Sequence, residues 1–208
     1  MKVLFVCTGN TCRSPMAEAL LQNKMPHIHV KSAGLFSSKG NRANDHSLTV
    51  LQERDITFSH QSQPVTDKLL QWADLVLTMT IQHKQMLILE YPHALDKIYT
   101  LKEYTSSENE RQWGNLHKAY ANLEKKRSSF IREHELTLDQ ATLEKKLSEH
   151  LATDIHHLRQ IELMLNHYDI SDPFGGDIDV YRQTIAELDE HVEHLRFKLT
   201  KQMEEEES

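Results

Sequence analysis

Residues 2–24 read KVLFVCTGNTCRSPMAEALLQNK, and their order decides the fold. KVLFV (2–6) is a short apolar run rich in β-formers, which predicts a buried strand. It ends at Cys7. Ser14-Pro15 then opens a helical stretch: Ser14 reads as an N-cap, Pro15 suits the first helical position, and Glu18 comes early in the helix. CTGNTCRS (7–14) is therefore a loop between the C-terminal end of a strand and the start of a helix. In open parallel sheets, ligands bind there.

Working outward, 28–34, 74–80 and 97–101 read as three more strands. Helical stretches at 45–56, 65–73 and 81–91 lie between them. This alternation predicts an α/β fold, a four-stranded parallel sheet with helices on both faces. The pattern then changes. Residues 106–168 hold one Gly and no Pro. Ser107 with Glu110, and Thr137 with Gln140, read as capping boxes. Trp113, Leu116, Tyr120, Leu123 and Phe130 form one apolar stripe. Leu143, Leu147, Leu151, Ile155, Leu158 and Leu165 form another. Two antiparallel helices over 108–133 and 138–166 follow, each roughly 40 Å long. After the loop 168–181, a last amphipathic helix over about 178–200 carries Ile185, Leu188, Val192, Leu195 and Leu199 on one face. The expected organisation is one domain from 1–104 and 169–200, a helical hairpin inserted at 105–168, and an acidic tail at 201–208.

The 208 residues carry a net charge of −7 and no basic block, a poor composition for binding nucleic acid. Glu204 to Glu207 read as a solvated, frayed run. Two cysteines do not make a secreted disulfide framework. MKVLFV is too short for a signal peptide, and no apolar stretch is long enough to span a membrane. A cytoplasmic protein is expected.

Cys7 and Arg13 stand in a C-x5-R relation. A loop of this length can turn its amides inward as an anion nest, and the helix start adds positive potential. Arg13 can grip two oxygens of a phosphate. Gly9 is expected to take a backbone conformation that other residues resist. The same field favours a thiolate at Cys7, and the Ser14 hydroxyl is placed to donate to its sulfur. The expected ligand is a phosphate or similar oxyanion, with Thr8, Gly9, Asn10, Thr11, Cys12 and Ser14 as its loop and Cys7 as nucleophile. Cys12 is open to two readings, a small buried residue or a resolving thiol that traps oxidised Cys7 as a disulfide. Asp172, in a Pro-Phe-Gly-Gly loop, is the candidate acid, with Asp169 as its competitor. Asp177 and Asp179 read as the start of the last helix.

VCTGNTCRSPMAEAL (6–20) resembles the signature of the low-molecular-weight protein-tyrosine-phosphatase family. SAG (32–34), ADLVLTMT (73–80) and DPFGG (172–176) are similar to that family's later landmarks, in the same order. The resemblance covers 1–104 and about 169–200, not the hairpin. It implies a flavodoxin-like sheet and a two-step phosphatase that needs no metal or other cofactor. It also implies that Asp172 protonates the leaving group and then activates water, that Asn10 braces the loop, and that Phe174 walls the pocket. Thr11 stands where tyrosine-directed members usually carry a larger aliphatic residue. There, and in MTIQHKQ (79–85), LKEY (101–104) and DPFGGDIDVY (172–181), the chain looks like the protein-arginine-phosphatase branch. A hydroxyl at that place can satisfy a polar guanidinium that an aliphatic side chain leaves unpaired. This branch implies phosphoarginine on proteins as substrate, in reversal of a protein-arginine kinase within a bacterial stress response.

Other readings carry less. Phosphotyrosine is the alternative substrate within the family. An arsenate reductase of this fold needs more cysteines than two. His150, Asp154 and His157 share a helical face but read as ordinary exposed side chains rather than metal ligands. The hairpin is a candidate surface for a partner or for self-association, and a binding or scaffold protein is the reading from a different class.

Overall fold

A computed structural model describes residues 1–106, 110–163 and 168–206. Strands β1 (Lys2–Cys7), β2 (His29–Gly34), β3 (Leu75–Thr78) and β4 (Ile98–Thr100) form one parallel sheet in the order β2-β1-β3-β4. Helices α1 (Arg13–Lys24), α2 (Asp45–Gln52), α3 (Asp67–Trp72), α4 (Ile81–Glu90), α5 (Leu101–Thr105) and α8 (Ile178–Glu206) surround it. Helices α6 (Glu110–His134) and α7 (Gln140–Leu163) make the hairpin. The chain divides into two compact units, 1–105 with 168–208, and 106–167.

Residues 3–6 of β1 are all fully buried. Side chains alternate across a strand. Val3, Phe5 and Cys7 therefore join Leu75, Leu77 and Met79 in one cluster with the apolar faces of α1 and α8. Leu4, Val6 and Val76 fill the other face. Burial on both sides is what a continuous apolar strand predicts. In α8, Ile185, Leu188, Val192, Leu195 and Leu199 are all fully buried. The chain winds to opposite sides of β1 to reach β2 and β3. The crevice at that switch lies just beyond Cys7.

Several boundaries differ from expectation, each for a local reason. Helix α1 begins at Arg13, with Cys12 at the cap position and no side-chain capping bond. Ser14 is not the cap, because its hydroxyl is used elsewhere. Pro15 falls at the third helical position, where its missing N–H costs nothing. Helix α2 stops at Gln52 rather than 56. Helix α5 was not expected from the sequence. It starts at a capping box: Thr100 Oγ1 accepts from Glu103 N (3.0 Å), and Glu103 Oε2 accepts from Thr100 N (3.0 Å). The last helix continues to Glu206, through most of the expected tail.

Within the hairpin, Tyr120 bonds Glu162, Lys126 pairs with Asp154, and Phe130 stacks on His150. Partner numbers fall as the first rise, so α6 and α7 are antiparallel. Asp139, not Thr137, caps α7: its carboxylate accepts from Thr142 N (3.1 Å) and Thr142 Oγ1 (2.7 Å). Thr137 instead turns back to the His134 carbonyl (3.2 Å). Ser107 and Leu165 lie outside the described residues, as do the side chains of Glu110 and Trp113.

Candidate active site

The loop after β1 is built around Asn10. This residue is fully buried and holds φ at 55°, the left-handed region. Gly9 does not hold that conformation, and a Cβ there would meet only Thr11 Oγ1 at 3.6 Å. The expectation for Gly9 is corrected: asparagine also tolerates the left-handed region, and here it repays the cost with hydrogen bonds. Its Nδ2 donates to Ser14 Oγ (2.9 Å) and Ser32 Oγ (2.7 Å), and its Oδ1 accepts from Gln63 N (3.0 Å). Its carbonyl meets His60 Nε2 at 2.9 Å, and its own N–H points at Cys7 Sγ (3.3 Å). One side chain thus ties the loop to α1, to β2 and to the segment before α3.

The Ser14 hydroxyl lies 3.0 Å from Cys7 Sγ. Its oxygen already accepts from Asn10, and its one proton has two acceptors in reach, the Cys7 sulfur and, farther off at 3.4 Å, the Ala33 carbonyl; the shorter contact favours the sulfur. Two donors, Ser14 O–H and Asn10 N–H, therefore converge on Cys7. Among the described residues, no protein acceptor meets the amides of Thr8, Gly9, Thr11 or Cys12. The first-turn amides of α1 lack helical partners as well. These donors and the helix dipole make a preformed oxyanion cradle beside the sulfur.

Gly34 lets this loop sit close to β2. A Cβ there would fall 2.7 Å from the Thr8 carbonyl and 2.9 Å from Asn10 N. Beneath the loop, Ser32 donates to Glu18 (2.5 Å), and His60 lies 3.7 Å from the same carboxylate. Burial, only partly offset by Ser32 and Lys31, pushes Glu18 up to about 7. Burial also holds His60 below its usual range, against the Asn10 carbonyl.

A cavity of about 230 Å³ opens over Cys7, with Arg13, Thr8 and Thr11 in its wall and Asp172 and Phe174 at its edge. Arg13 is 5% exposed. Its Nη2 donates to Asp172 (2.6 Å) and its Nη1 to the Ile170 carbonyl (3.3 Å). This leaves guanidinium N–H groups for an oxyanion. The loop carrying Asp172 is anchored on both sides. Ile170 N donates to the Met79 carbonyl (2.8 Å), and Glu187 of α8 accepts from Ser171 N (3.1 Å) and Oγ (2.6 Å). Asp169, the competing acid, accepts from Ile81 N (2.8 Å) and so braces α4. Asp177 caps α8 by accepting from Asp179 N and Val180 N. Between them, Gly176 N closes a turn onto the Pro173 carbonyl (2.9 Å) with Gly175 at φ 80°. That turn leaves Phe174 77% exposed. Asp172 thus joins Cys7 and Arg13, and Asp169 does not.

Thr11 is fixed through its carbonyl, which accepts from Asn44 N (2.8 Å) and Ser47 Oγ (3.4 Å) at the start of α2. Cys12 is buried and meets the Tyr181 hydroxyl at 3.2 Å. Both cysteines are free thiols. Tyr181 and His83 were missed in the sequence. His83 Nε2 meets Thr8 Oγ1 at 2.8 Å. Each lies in a stretch quoted for the family resemblance, His83 in MTIQHKQ and Tyr181 in DPFGGDIDVY, but its partner in the loop is far away in the sequence. LKEY and MTIQHKQ also meet each other: Lys84 donates to both Glu103 oxygens at 2.7 Å, with both side chains buried. Lys84 and Glu103 thus support the scaffold, while His83 of the same stretch reaches Thr8 in the cavity wall. In the hairpin, Asp154 is engaged by Lys126 and His150 lies against Phe130.

The family model described as low molecular weight phosphotyrosine protein phosphatase matches residues 2–126. A protein-arginine-phosphatase of Bacillus subtilis is 34% identical over 97% of this chain and 98% of its own. A low molecular weight protein-tyrosine-phosphatase, PtpB, of Staphylococcus epidermidis is 27% identical over 95% of this chain and 99% of its own. The solved structure of the arginine phosphatase YwlE from Geobacillus stearothermophilus is similar with a TM-score of 0.68. It is 34% identical and covers 98% of this chain and 96% of that one.

Proposed function

The chain belongs to the low molecular weight phosphotyrosine protein phosphatase family, whose members are cysteine-dependent and metal-independent, and we propose that it removes phosphate from phosphoarginine on proteins. Cys7 attacks phosphorus as the thiolate. The P–N bond breaks, its electrons go to the arginine nitrogen, and Asp172 supplies the proton. Asp172 then takes a proton from water, which attacks the cysteinyl phosphate. The S–P bond breaks and phosphate leaves. The loop amides and Arg13 hold the phosphoryl oxygens through both steps, and Ser14 steadies the sulfur as it leaves. Phosphate entering the cradle competes with Asp172 for Arg13, which frees the carboxyl group to face the leaving nitrogen.

The observation that carries the substrate is Thr11. It lines the cavity beside Cys7, and the protein-arginine-phosphatase similarity agrees with it. Its hydroxyl offers a polar partner to a guanidinium and occupies less of the cavity than a larger aliphatic side chain. Phosphotyrosine is the second reading, supported by the exposed Phe174 ring at the mouth and by the tyrosine-phosphatase relative. Phosphoarginine and phosphotyrosine peptides assayed side by side, with Thr11→Ile alongside, decide between them. The wild type is expected to prefer phosphoarginine by at least about tenfold, and Thr11→Ile to narrow or reverse that ratio. An equal ratio in both proteins overturns the Thr11 assignment.

Cys12 is proposed as a resolving thiol for oxidised Cys7, and the hairpin as a filter on which phosphoproteins reach the site or as a self-association surface. Among the described residues, no helix is long and apolar enough to cross a membrane. The proposed location is the cytoplasm, where two free thiols persist.

A further inference from the structure

His83 has no role in the chemistry so far, yet its side chain is among the more unusual near the cavity. It stands in the first turn of α4 and is 6% exposed. Its Nε2 lies 2.8 Å from Thr8 Oγ1, and its Nδ1 is buried with no hydrogen-bond partner. Thr8 itself lines the cavity over Cys7.

The orphaned Nδ1 determines the ring's tautomer. A buried N–H without an acceptor is rarer and costlier than an under-used acceptor. Nδ1 therefore carries the lone pair, and Nε2 carries the hydrogen. The ring is also neutral. Burial and the nearby Arg13 charge lower it to about 4, against a smaller opposing pull from Asp172. A neutral Nε2–H donor facing a hydroxyl leaves that hydroxyl one proton to give.

We propose that His83 is a positioning residue: it donates to the Thr8 oxygen and so turns the Thr8 proton into the cavity, toward a phosphoryl oxygen. The assignment rests on the reading of that cavity as the phosphate site. Thr8 then adds a side-chain donor to the backbone cradle, and α4 becomes a further support of the loop beside α1, β2, α2 and the segment before α3. A ring that merely filled space would not leave one nitrogen unsatisfied while placing the other on a cavity-lining hydroxyl.

The test is a double-mutant cycle with a spectroscopic readout. Thr8→Val, His83→Leu and His83→Gln are compared with the pair Thr8→Val/His83→Leu on both phosphopeptides. Thr8→Val and His83→Leu should each lower kcat/KM about tenfold. The pair should lie no more than about threefold below the worse single variant. His83→Gln places an amide donor at similar reach and should stay within about threefold of wild type. Losses that multiply in the pair, or His83→Gln as impaired as His83→Leu, overturn the assignment. Nitrogen NMR of histidine-labelled protein at neutral pH should show the Nε2–H tautomer of His83, shifted by Thr8→Val. An Nδ1–H tautomer, or no response to Thr8→Val, overturns it as well and needs no variant of His83 to fold. If the wild type releases phosphate from neither peptide, the functional reading falls, and the spectrum still decides the Thr8–His83 bond.

Discussion

The Cys7 loop and the α6–α7 hairpin use polar side chains in opposite ways. In the loop, polar groups are buried and each answers another: Asn10 is fully buried and engages Cys7, Ser14, Ser32, Gln63 and His60. In the hairpin the charged pairs lie at the surface. Lys126 and Asp154 keep 51% and 25% of their side chains exposed. Among the described residues, its buried apolar anchors are Leu116, Tyr120, Leu151 and Leu158. A buried polar network costs much if one member is lost, whereas an exposed ion pair contributes little. The loop is therefore specified atom by atom. The hairpin is specified mainly by one apolar seam and tolerates change elsewhere.

The largest test of this contrast is at Cys7. Cys7→Ser should lower phosphate release on the order of 10⁴-fold or more while leaving the fold intact. Phosphopeptide hydrolysis near the wild-type rate in that variant would end the covalent mechanism. Next is Glu18 beneath the loop. Its folded value of about 7 lies above the unfolded 4.5. Its contribution to stability is therefore complete below pH 4.5 and is lost as pH rises through 7. His60 runs the other way, since its depressed value gives stability that is present above 6.5 and lost on acidification. Between pH 4.5 and 8, wild type should lose about 2–3 kcal/mol relative to Glu18→Gln, read by urea denaturation. A pH-independent difference would show that Glu18 titrates normally. The smallest effect is expected from the hairpin. Replacing 108–166 by a short linker should change turnover of a small phosphoamino acid by less than about threefold, while altering turnover of a phosphoprotein. Equal changes on both substrates, or none on either, count against a filtering role.

Much of the site was legible because its parts are local. Cys7, Arg13 and the helix start lie within eight residues, and Asp172 sits in a loop with its own turn chemistry. Most of what the sequence did not give depends on partners distant along the chain. Ser14 is the exception: its contact with Cys7 is local and was expected, but the same hydroxyl, engaged by Cys7 and Asn10, does not also serve as the helix cap. Gly9 looked like the residue for an unusual backbone, yet Asn10 takes that place because of bonds to Ser32 and Gln63. Asp172 was favoured over Asp169 by its Pro-Phe-Gly-Gly loop, and their partners, Arg13 for the one and Ile81 N for the other, separate them in space. His83 and Tyr181 lie in stretches that carry the resemblance, but their individual roles gave no signal, since their contacts with Thr8 and Cys12 span 75 and 169 residues. In the hairpin, stripe and period predicted both helices. The cap shifted from Thr137 to Asp139 because the turn after α6 uses Thr137 first.

The hub at Asn10 has a bearing on when the protein becomes dangerous to its surroundings. A reactive thiol in a half-made chain is a hazard, open to any oxidant or electrophile. Here the groups that prepare the sulfur come together only when β1, α1, β2 and the segment around Gln63 have all docked. A nascent or partly unfolded chain thus carries a cysteine without these neighbours, and the setting proposed to make it a nucleophile is completed only by folding itself.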